Sequence, residues 1–221
     1  MTSKTLATMK TRIANELRRN NASFVPYITD AIETAIDAYK ERRHFFNETR
    51  DVTFTTSANQ EYYGASTSPV AVARLADLIK LDYVTLQDGS SVYQLLPETP
   101  KTLDSLLTTQ QNAGQPGWYA WFDMKIRLYP IPIASTFVVR PVGTYLYAAP
   151  ASDAETGNFW MNEAERLIRS RAKYEIATHV LKDVELGQIM TANVREAETQ
   201  LQSRTNKMTQ TDNGRVRPMS F

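Results

Sequence analysis

The feature that most constrains the fold is an amphipathic helical pattern over residues 23–46 that passes directly into a strand pattern. Apolar side chains recur there at steps of three and four residues: Val25, Ile28, Ile32, Ala35, Ile36 and Tyr39. Ser23 suits the N-cap position, and Pro26 suits the first turn, where its missing N–H costs nothing. Beyond Asn47 the period drops to two, which predicts a hairpin formed by residues 52–56 and 60–63. The chain is therefore expected to pass from helix to sheet near residue 49.

The opposite face of this helix is charged, and its members are Asp30, Glu33, Asp37, Lys40 and Glu41. A helix with one apolar side packs that side on a core and leaves the other exposed to water or to a polar partner. Residues 4–19 show a similar stripe of Leu6, Met9, Ile13 and Leu17. Because the link between the two segments is short, the first two helices are predicted to form an antiparallel pair.

The sequence pattern changes between residues 50 and 150, where short apolar runs alternate with Gly, Pro, Asn and Asp. Strands are predicted within residues 52–56, 60–63, 74–86, 92–95, 118–122, 125–129 and 136–142. Asp88-Gly89 and, more weakly, Asp123-Met124 are typical of hairpin turns between such strands. Thr102 is a candidate cap for a short helix within residues 97–111. This region is expected to be a small antiparallel β domain.

Helical periodicity returns in residues 151–202, with a break expected near residues 182–187 around Gly187. The predicted fold class is α+β. Helices from both ends of the chain (residues 1–49 and 151–202) form a bundle, and the β domain of residues 50–150 is inserted between them. Residues 203–221 show no periodicity and are predicted to form an extended tail. Its apolar side chains could anchor the tail on another surface, and a frayed terminus is the alternative.

Composition excludes several classes of function. The chain has 221 residues, 25 basic and 24 acidic side chains and a net charge of +1, so its charge does not indicate a nucleic-acid binder and is silent on DNA. The absence of cysteine excludes disulfides and thiolate metal sites. No apolar run has the length of a membrane span, and the first residues lack the apolar core of a signal peptide. We expect a protein made in the cytosol with no membrane partner.

The sequence offers no catalytic, metal or cofactor motif, and the protein is not expected to be an enzyme. His44 and His179 have no spaced ligands or nucleophile around them in the sequence. Carboxylate pairs such as Glu163/Glu165 and Glu196/Glu198 could serve a glycosidase only if they faced each other across a cleft, and charged helix faces are the simpler interpretation. The aromatic run Trp118, Tyr119, Trp121, Phe122 and Tyr129 could stack bases or sugars, but core packing explains it more simply.

The order of these elements resembles the head-to-tail adaptor proteins of short-tailed bacteriophages, also called tail accessory or head completion proteins. The resemblance is strongest over residues 6–64. It is carried by Lys10-Thr11-Arg12-Ile13-Ala14, by Ile28 with Ala31-Ile32, by Tyr39, Arg43 and Phe45-Phe46-Asn47-Glu48, and by the two strand patterns that follow. It continues more loosely through the β region and the C-terminal helices.

This resemblance implies a structural virion protein at the head–tail junction, assembled in the host cytoplasm. Such adaptors form a homo-oligomeric ring, typically of twelve copies, beneath the portal protein. The ring seals the filled head, lines a channel through which double-stranded DNA passes without sequence specificity, and docks tail nozzle or fibre proteins. The resemblance further implies a portal-binding role for the tail, with candidate residues Arg204, Lys207, Arg215, Val216, Arg217, Pro218, Met219 and Phe221.

Two other functions stay open at this stage. A tail component that binds or degrades cell-wall glycan would use the aromatic β region and a carboxylate pair, and a Glu→Gln change would abolish its activity on peptidoglycan. A minor tail tube protein would share the virion setting but would not contact the portal.

Overall fold

The computed structural model describes residues 4–109 and 113–209 and divides the chain into two compact units. One unit consists of Met1–Phe46 with Tyr147–Phe221, and the other is Asn47–Leu146. Helices from both ends of the chain belong to the first unit, and the second is built mainly of antiparallel sheets. The predicted α+β class is confirmed.

Six α-helices are defined within the described residues, five of them in the first unit. They are α1 (Leu6–Glu16), α2 (Val25–Asp37), α3 (Pro100–Thr109, in the second unit), α4 (Phe159–Asn162), α5 (Glu165–Glu175) and α6 (Val184–Thr209). Thr5 caps α1, because its Oγ1 accepts a hydrogen bond from the Thr8 backbone N–H while Thr8 Oγ1 accepts from the Thr5 N–H. Met9 and Ile13 then lie buried on one side of α1.

Helix α2 is shorter than its sequence pattern predicts at both ends. Residues Ala22–Phe24 form a 3-10 turn, so Ser23 is not the cap, and α2 ends at Asp37 and not at Phe46. In a continued helix, with about 100° between successive residues, His44 would point about 140° away from Tyr39. The turns after Asp37 instead allow Tyr39, His44 and Phe46 all to be buried.

The C-terminal helices break between α5 and α6, within the predicted region. A π-helical turn, Ile176–Val180, ends α5, and Lys182 has a positive φ of 54° before α6 begins. Helix α6 runs antiparallel to α5, as Arg166 hydrogen-bonds Gln200 and Glu163 pairs with Arg204. Gly187, the residue expected to interrupt the helix, lies inside α6.

Helix α6 also continues beyond the predicted boundary at residue 203. The expectation of an extended chain is wrong for residues 203–209, because the buried face of α6 continues through Val194, Ala197, Leu201 and Thr205. Thr205 keeps the helical spacing but is polar, so this apolar series stops at Leu201, about two turns before the helix ends.

The core of the first unit forms where α1, α2, α5 and α6 bury their apolar faces. It includes Ile28, Ile32, Trp160, Ile168 and Ala172, all nearly inaccessible to solvent. Trp160 follows the cap residue Asn158, whose side chain accepts from the Trp160 backbone N–H, and the indole N–H donates to the Tyr147 carbonyl.

Within its described residues, the second unit contains eleven strands: β1 (Glu48–Thr49), β2 (Phe54–Thr55), β3 (Tyr62–Gly64), β4 (Leu78–Asp88), β5 (Ser91–Gln94), β6 (Leu96–Pro97), β7 (Ala113–Gly114), β8 (Trp118–Phe122), β9 (Lys125–Tyr129), β10 (Ile131–Pro132) and β11 (Val138–Tyr145). One sheet has the order β1-β11-β4-β5, with β2 also pairing β11. Another has the order β3-β9-β8-β6, and β7 pairs β10 separately.

The two hairpins predicted at Asp88-Gly89 and Asp123-Met124 are confirmed as β4–β5 and β8–β9. The hairpin predicted from residues 52–56 and 60–63 is wrong, because β2 pairs β11 while β3 pairs β9. Each of these short strands finds a longer antiparallel neighbour in a different sheet. Such long-range partners are not visible in the local pattern.

The β4–β11 ladder contains a register shift at Val142/Gly143 that brings the two backbones very close. A Cβ atom at position 143 would lie 2.1 Å from the Lys80 carbonyl oxygen, so only glycine fits this approach. Val84, Leu86 and Val139 on these strands are fully buried, together with Tyr63, Ile126 and Leu128 of the other sheet.

Candidate interaction surfaces

The two histidines lie in different environments. His44 is 4% exposed, with its ring 5.1 Å from and nearly parallel to that of Phe46, and 5.7 Å from that of Trp160 at a right angle. Burial lowers the pKa of His44 and outweighs the hydrogen bond with the Tyr39 backbone that raises it. His179 is exposed and lies 3.2 Å from Glu175. Within residues 4–109 and 113–209, no cluster of three or more His, Cys, Asp or Glu side chains could hold a metal ion.

The carboxylates considered for glycan chemistry each contact an arginine from elsewhere in the first unit. Glu165 lies 3.1 Å from Arg12, and Glu196 lies 2.8 Å from Arg166. Glu163 pairs with Arg204, and Glu198 pairs with Arg42. Each of these acids is therefore held by an arginine, which supports the interpretation that they tie the helical unit together.

The most buried charge of the second unit is Arg127 on β9, whose side chain is 6% exposed. Its guanidinium donates to Glu61, to Asp104 of α3 at 2.6 Å and to the Pro100 carbonyl at 3.2 Å. Burial acts to lower the pKa of Arg127, but the hydrogen bonds to Asp104 and Glu61 raise it on balance, so the group stays charged. The cluster fastens α3 to the sheet and is structural in character.

The aromatic run divides between the two faces of β8 and β9. Tyr119 and Trp121 belong to the main core of the second unit, whereas Trp118 and Tyr129 pack with Leu103 of α3. Core packing, the simpler of the two interpretations, accounts for these four. Phe122 is different, since it is 70% exposed at the end of β8.

Phe122 and Met124 flank Asp123 at the tip of the β8–β9 hairpin, and we call residues 122–124 the hairpin tip. Met124 is 56% exposed, and Asp123 and Met124 both have positive φ values, 52° and 55°. Neither is glycine, so each bears a backbone cost that Gly would avoid. Lys125 stays beside the turn through a 2.6 Å ion pair with Asp123. The hairpin thus presents two large apolar side chains to solvent.

The predicted portal-binding residues fall into two groups. Arg204 and Lys207 lie on α6, where the guanidinium of Arg204 pairs with Glu163 and sits 4.9 Å from the centre of the Phe45 ring. Arg204 therefore serves the helical unit, while Lys207 is exposed. The other candidates lie outside the described residues: Arg215, Val216, Arg217, Pro218, Met219 and Phe221.

The outer face of α2 is a further exposed surface, whose acidic side chains were visible in the sequence. Asp30 and Glu33 are exposed and form no ion pair within the described part of the chain, whereas Asp37 lies 2.9 Å from Lys40. Val25 and Tyr27 precede them and are 45% and 50% exposed. The sequence pattern placed Val25 on the buried stripe, but α2 starts at this residue, before the packed part of the helix.

The sequence profile of the SU10 adaptor protein family matches residues 4–219, which is nearly the whole chain. The chain belongs to the SU10 adaptor protein family. It is thus a bacteriophage structural adaptor, a virion component of the head–tail junction, as the sequence resemblance predicted. Membership of the SU10 adaptor family implies interaction with portal and tail proteins.

A comparison with curated proteins found no match. None of the helices in the described part of this SU10 adaptor is both long and apolar enough to cross a lipid bilayer.

Proposed function

We propose that this adaptor assembles as a ring beneath the portal, with the twelve copies that the resemblance implies. The ring seals the filled head, surrounds the passing DNA and docks the tail nozzle or fibres, and it does so without catalysis. Assembly takes place in the host cytoplasm. The division of the chain into two compact units supports this role, because a connector needs separate surfaces for the partners on its two sides.

The observation that carries the proposal is the hairpin tip. Phe122 and Met124 are large, apolar and exposed, and the turn that presents them is built from two non-glycine residues of positive φ. Aromatic and Met side chains are enriched at the centres of protein interfaces, where burying them supplies most of the binding free energy. In our proposal the hairpin tip inserts into an apolar depression of the tail protein.

Changing the tip to Phe122→Ser/Met124→Ser tests this role in a phage that depends on the altered adaptor. We expect adaptor-bearing, DNA-filled heads to accumulate without tails, because the apolar contact is lost while the portal side is unchanged. Val92→Ser is the matched control, since Val92 on β5 of the same unit is 61% exposed, between the values of Phe122 and Met124. Tailed virions in normal numbers from the double variant would contradict the proposed docking role.

The tail is the second part of the proposal, in which residues 210–221 bind the portal. Arg215 and Arg217 supply charge, and Val216, Pro218, Met219 and Phe221 supply apolar contacts. Removal of residues 210–221 should abolish ring formation on purified portal in electron micrographs. Arg215→Ala/Arg217→Ala should weaken binding most at low salt, because ionic screening already reduces those contacts at high salt. Rings of normal occupancy from the truncated protein would rule out the tail as the portal anchor.

A further inference from the structure

We infer that strand β5 accepts an extended segment of the tail protein along its open edge. The register of the β4–β5 hairpin determines which backbone groups face that edge. The Leu95 N–H donates to the Val84 carbonyl at 2.9 Å, and hydrogen-bonded pairs alternate along two antiparallel strands. The N–H and C=O groups of Tyr93 therefore face β4, whereas those of Val92 and Gln94 point away from it.

These outward groups are available to another chain. Within residues 4–109 and 113–209, no hydrogen bond involves the backbone N–H or C=O of Val92 or Gln94. Proteins commonly protect an exposed strand edge with a charge, a proline or a bulge. Strand β5 has no charged residue and no proline, and it pairs with β4 in continuous register. An edge of this kind can bind an extended segment as an added strand.

The edge of β3 shows the contrast, because local contacts occupy it. The Gly64 N–H donates to Thr67 Oγ1, and the Gly64 carbonyl accepts from the Val72 N–H, both at 2.8 Å. The Tyr62 carbonyl accepts from Gln60 Nε2, also at 2.8 Å. These three backbone groups are therefore not available to an added strand.

Strand β11 is protected by a proline between the stretches that β1 and β2 cover. Pro141 lies opposite Val84, whose carbonyl bonds to β5, so this pair forms no hydrogen bond and the Pro141 carbonyl faces away from β4. Proline has no N–H, and the Pro141 carbonyl accepts from the Tyr145 hydroxyl at 3.3 Å. The chain thus closes the edges of β3 and β11 and leaves that of β5 open.

A second copy of this chain offers a poor match to the β5 edge. Two outward residues need a partner strand of at least about three residues, whereas the described edge strands β1, β2, β6, β7 and β10 have two each. Two β5 strands could pair with each other, but that contact is two-fold, so it joins two copies and does not continue around a ring. These points favour another protein as the occupant. The inference rests on the proposed function, in which the second unit docks the tail, and it therefore assigns the segment to the tail protein.

Recognition at this edge goes through the backbone. The added segment runs extended beside β5 and bonds to the N–H and C=O groups of Val92 and Gln94. Side-chain changes that keep these groups, such as Val92→Ser, leave the edge in place. Only a change that removes an outward N–H blocks it, and proline is the residue that does so.

Amide hydrogen exchange tests the inference in free adaptor, in adaptor rings on purified portal and in tailed virions. Mass spectrometry with fragmentation resolves single amides. The amides of Val92 and Gln94 should exchange quickly in the first two samples and at least about tenfold more slowly in virions. Those of Tyr93 and Leu95, which face β4, should be protected in all three and serve as the internal control. Protection that already appears in the rings, or no protection in virions, would overturn the inference.

Gln94→Pro tests whether the added strand holds the tail. It removes an outward N–H and none of the N–H groups that pair with β4, so the fold should be kept, which thermal melting checks. We expect tailed virions to fall at least about tenfold, because one hydrogen bond is lost and the proline ring obstructs the edge. Gln94→Ala, which keeps the N–H, is the matched control. Equal yields from the two variants would overturn the inference, and Val92→Pro repeats the test at the other outward N–H.

The inference and the proposed function can fail separately. Loss of tails in Phe122→Ser/Met124→Ser with unprotected Val92 and Gln94 amides in wild-type virions would overturn only the pairing at β5. Protected amides in virions together with normal tails in that double variant would contradict only the role of the hairpin tip.

Discussion

At the scale of single residues, Gly143 gives the sharpest prediction. An alanine Cβ at position 143 would lie 2.1 Å from the carbonyl oxygen of Lys80 and 3.2 Å from the Cα of Leu81, so β4 and β11 would have to separate locally. We expect Gly143→Ala to lower the free energy of unfolding by about 3 kcal/mol, measured by denaturant titration. Gly117→Ala is the control, because its Cβ would meet no atom within 4 Å. Equal stability of the two variants would show that the bulge can relax.

His44 gives a prediction about pH. Its pKa is lowered in the folded protein, so the unfolded state binds the proton first as the pH falls. The free energy of unfolding should therefore decrease from about pH 6.5 downwards, the ordinary pKa of histidine, and this contribution should be absent above it. His44→Phe should remove that part of the pH dependence, whereas His179→Gln, at an exposed site, should leave it in place. Parallel stability profiles for wild type and His44→Phe between pH 7.5 and 5 would contradict the assignment.

At the scale of elements, α3 depends on the charge cluster beneath it. Arg127→Met leaves Glu61 and Asp104 without their cation, and we expect a loss of about 3 kcal/mol in the stability of the second unit. Asp104→Asn should cost less than about 1 kcal/mol, because the Asp104 side chain is largely exposed. Amide hydrogen exchange should show faster exchange in α3 for Arg127→Met. Unchanged protection of α3 would mean that Leu103 packing alone holds the helix.

The elements also show how far the sequence alone could predict the structure. The turns at Asp88-Gly89 and Asp123-Met124 were predictable, because hairpin chemistry is local. The partners of β2 and β3 were not, since both pair with strands more than sixty residues away. The sequence predicts Thr102 as the cap of α3, but the cap is Thr99, whose Oγ1 accepts a hydrogen bond from the Thr102 backbone N–H. A sequence pattern does not distinguish two threonines that lie three residues apart.

The candidate surfaces, too, could be predicted only where they depend on local sequence patterns. The exposure of the charged side of α2 could be predicted from periodicity, since a helix with one apolar side leaves its polar side to solvent. Phe122 could not be distinguished from its aromatic neighbours, because strand alternation gives a side chain's face but not whether another element covers that face. Helix α3 covers Ala120 and Tyr129 and leaves Phe122 exposed.

At the scale of the whole molecule, the second unit should fold by itself. It has its own core, and its two ends are held together, since the Tyr145 N–H donates to the Asn47 carbonyl at 2.9 Å and Glu48 pairs with Thr144. We expect residues 47–146, expressed alone, to give a dispersed amide NMR spectrum and one cooperative melting transition. Collapsed amide signals with no transition would show that the sheets require the helical unit.

The neighbouring ends of β1 and β11 have an evolutionary consequence. Adjacent antiparallel strands lie about 5 Å apart, so the inserted module has an entrance and an exit at nearly one point. Genetic recombination at just two junctions could replace this module with another sheet whose two ends lie equally close together. The contacts among the helices of the first unit would be kept. If the hairpin tip docks the tail as proposed, a phage lineage could in this way change the tail it carries and keep the head it already has.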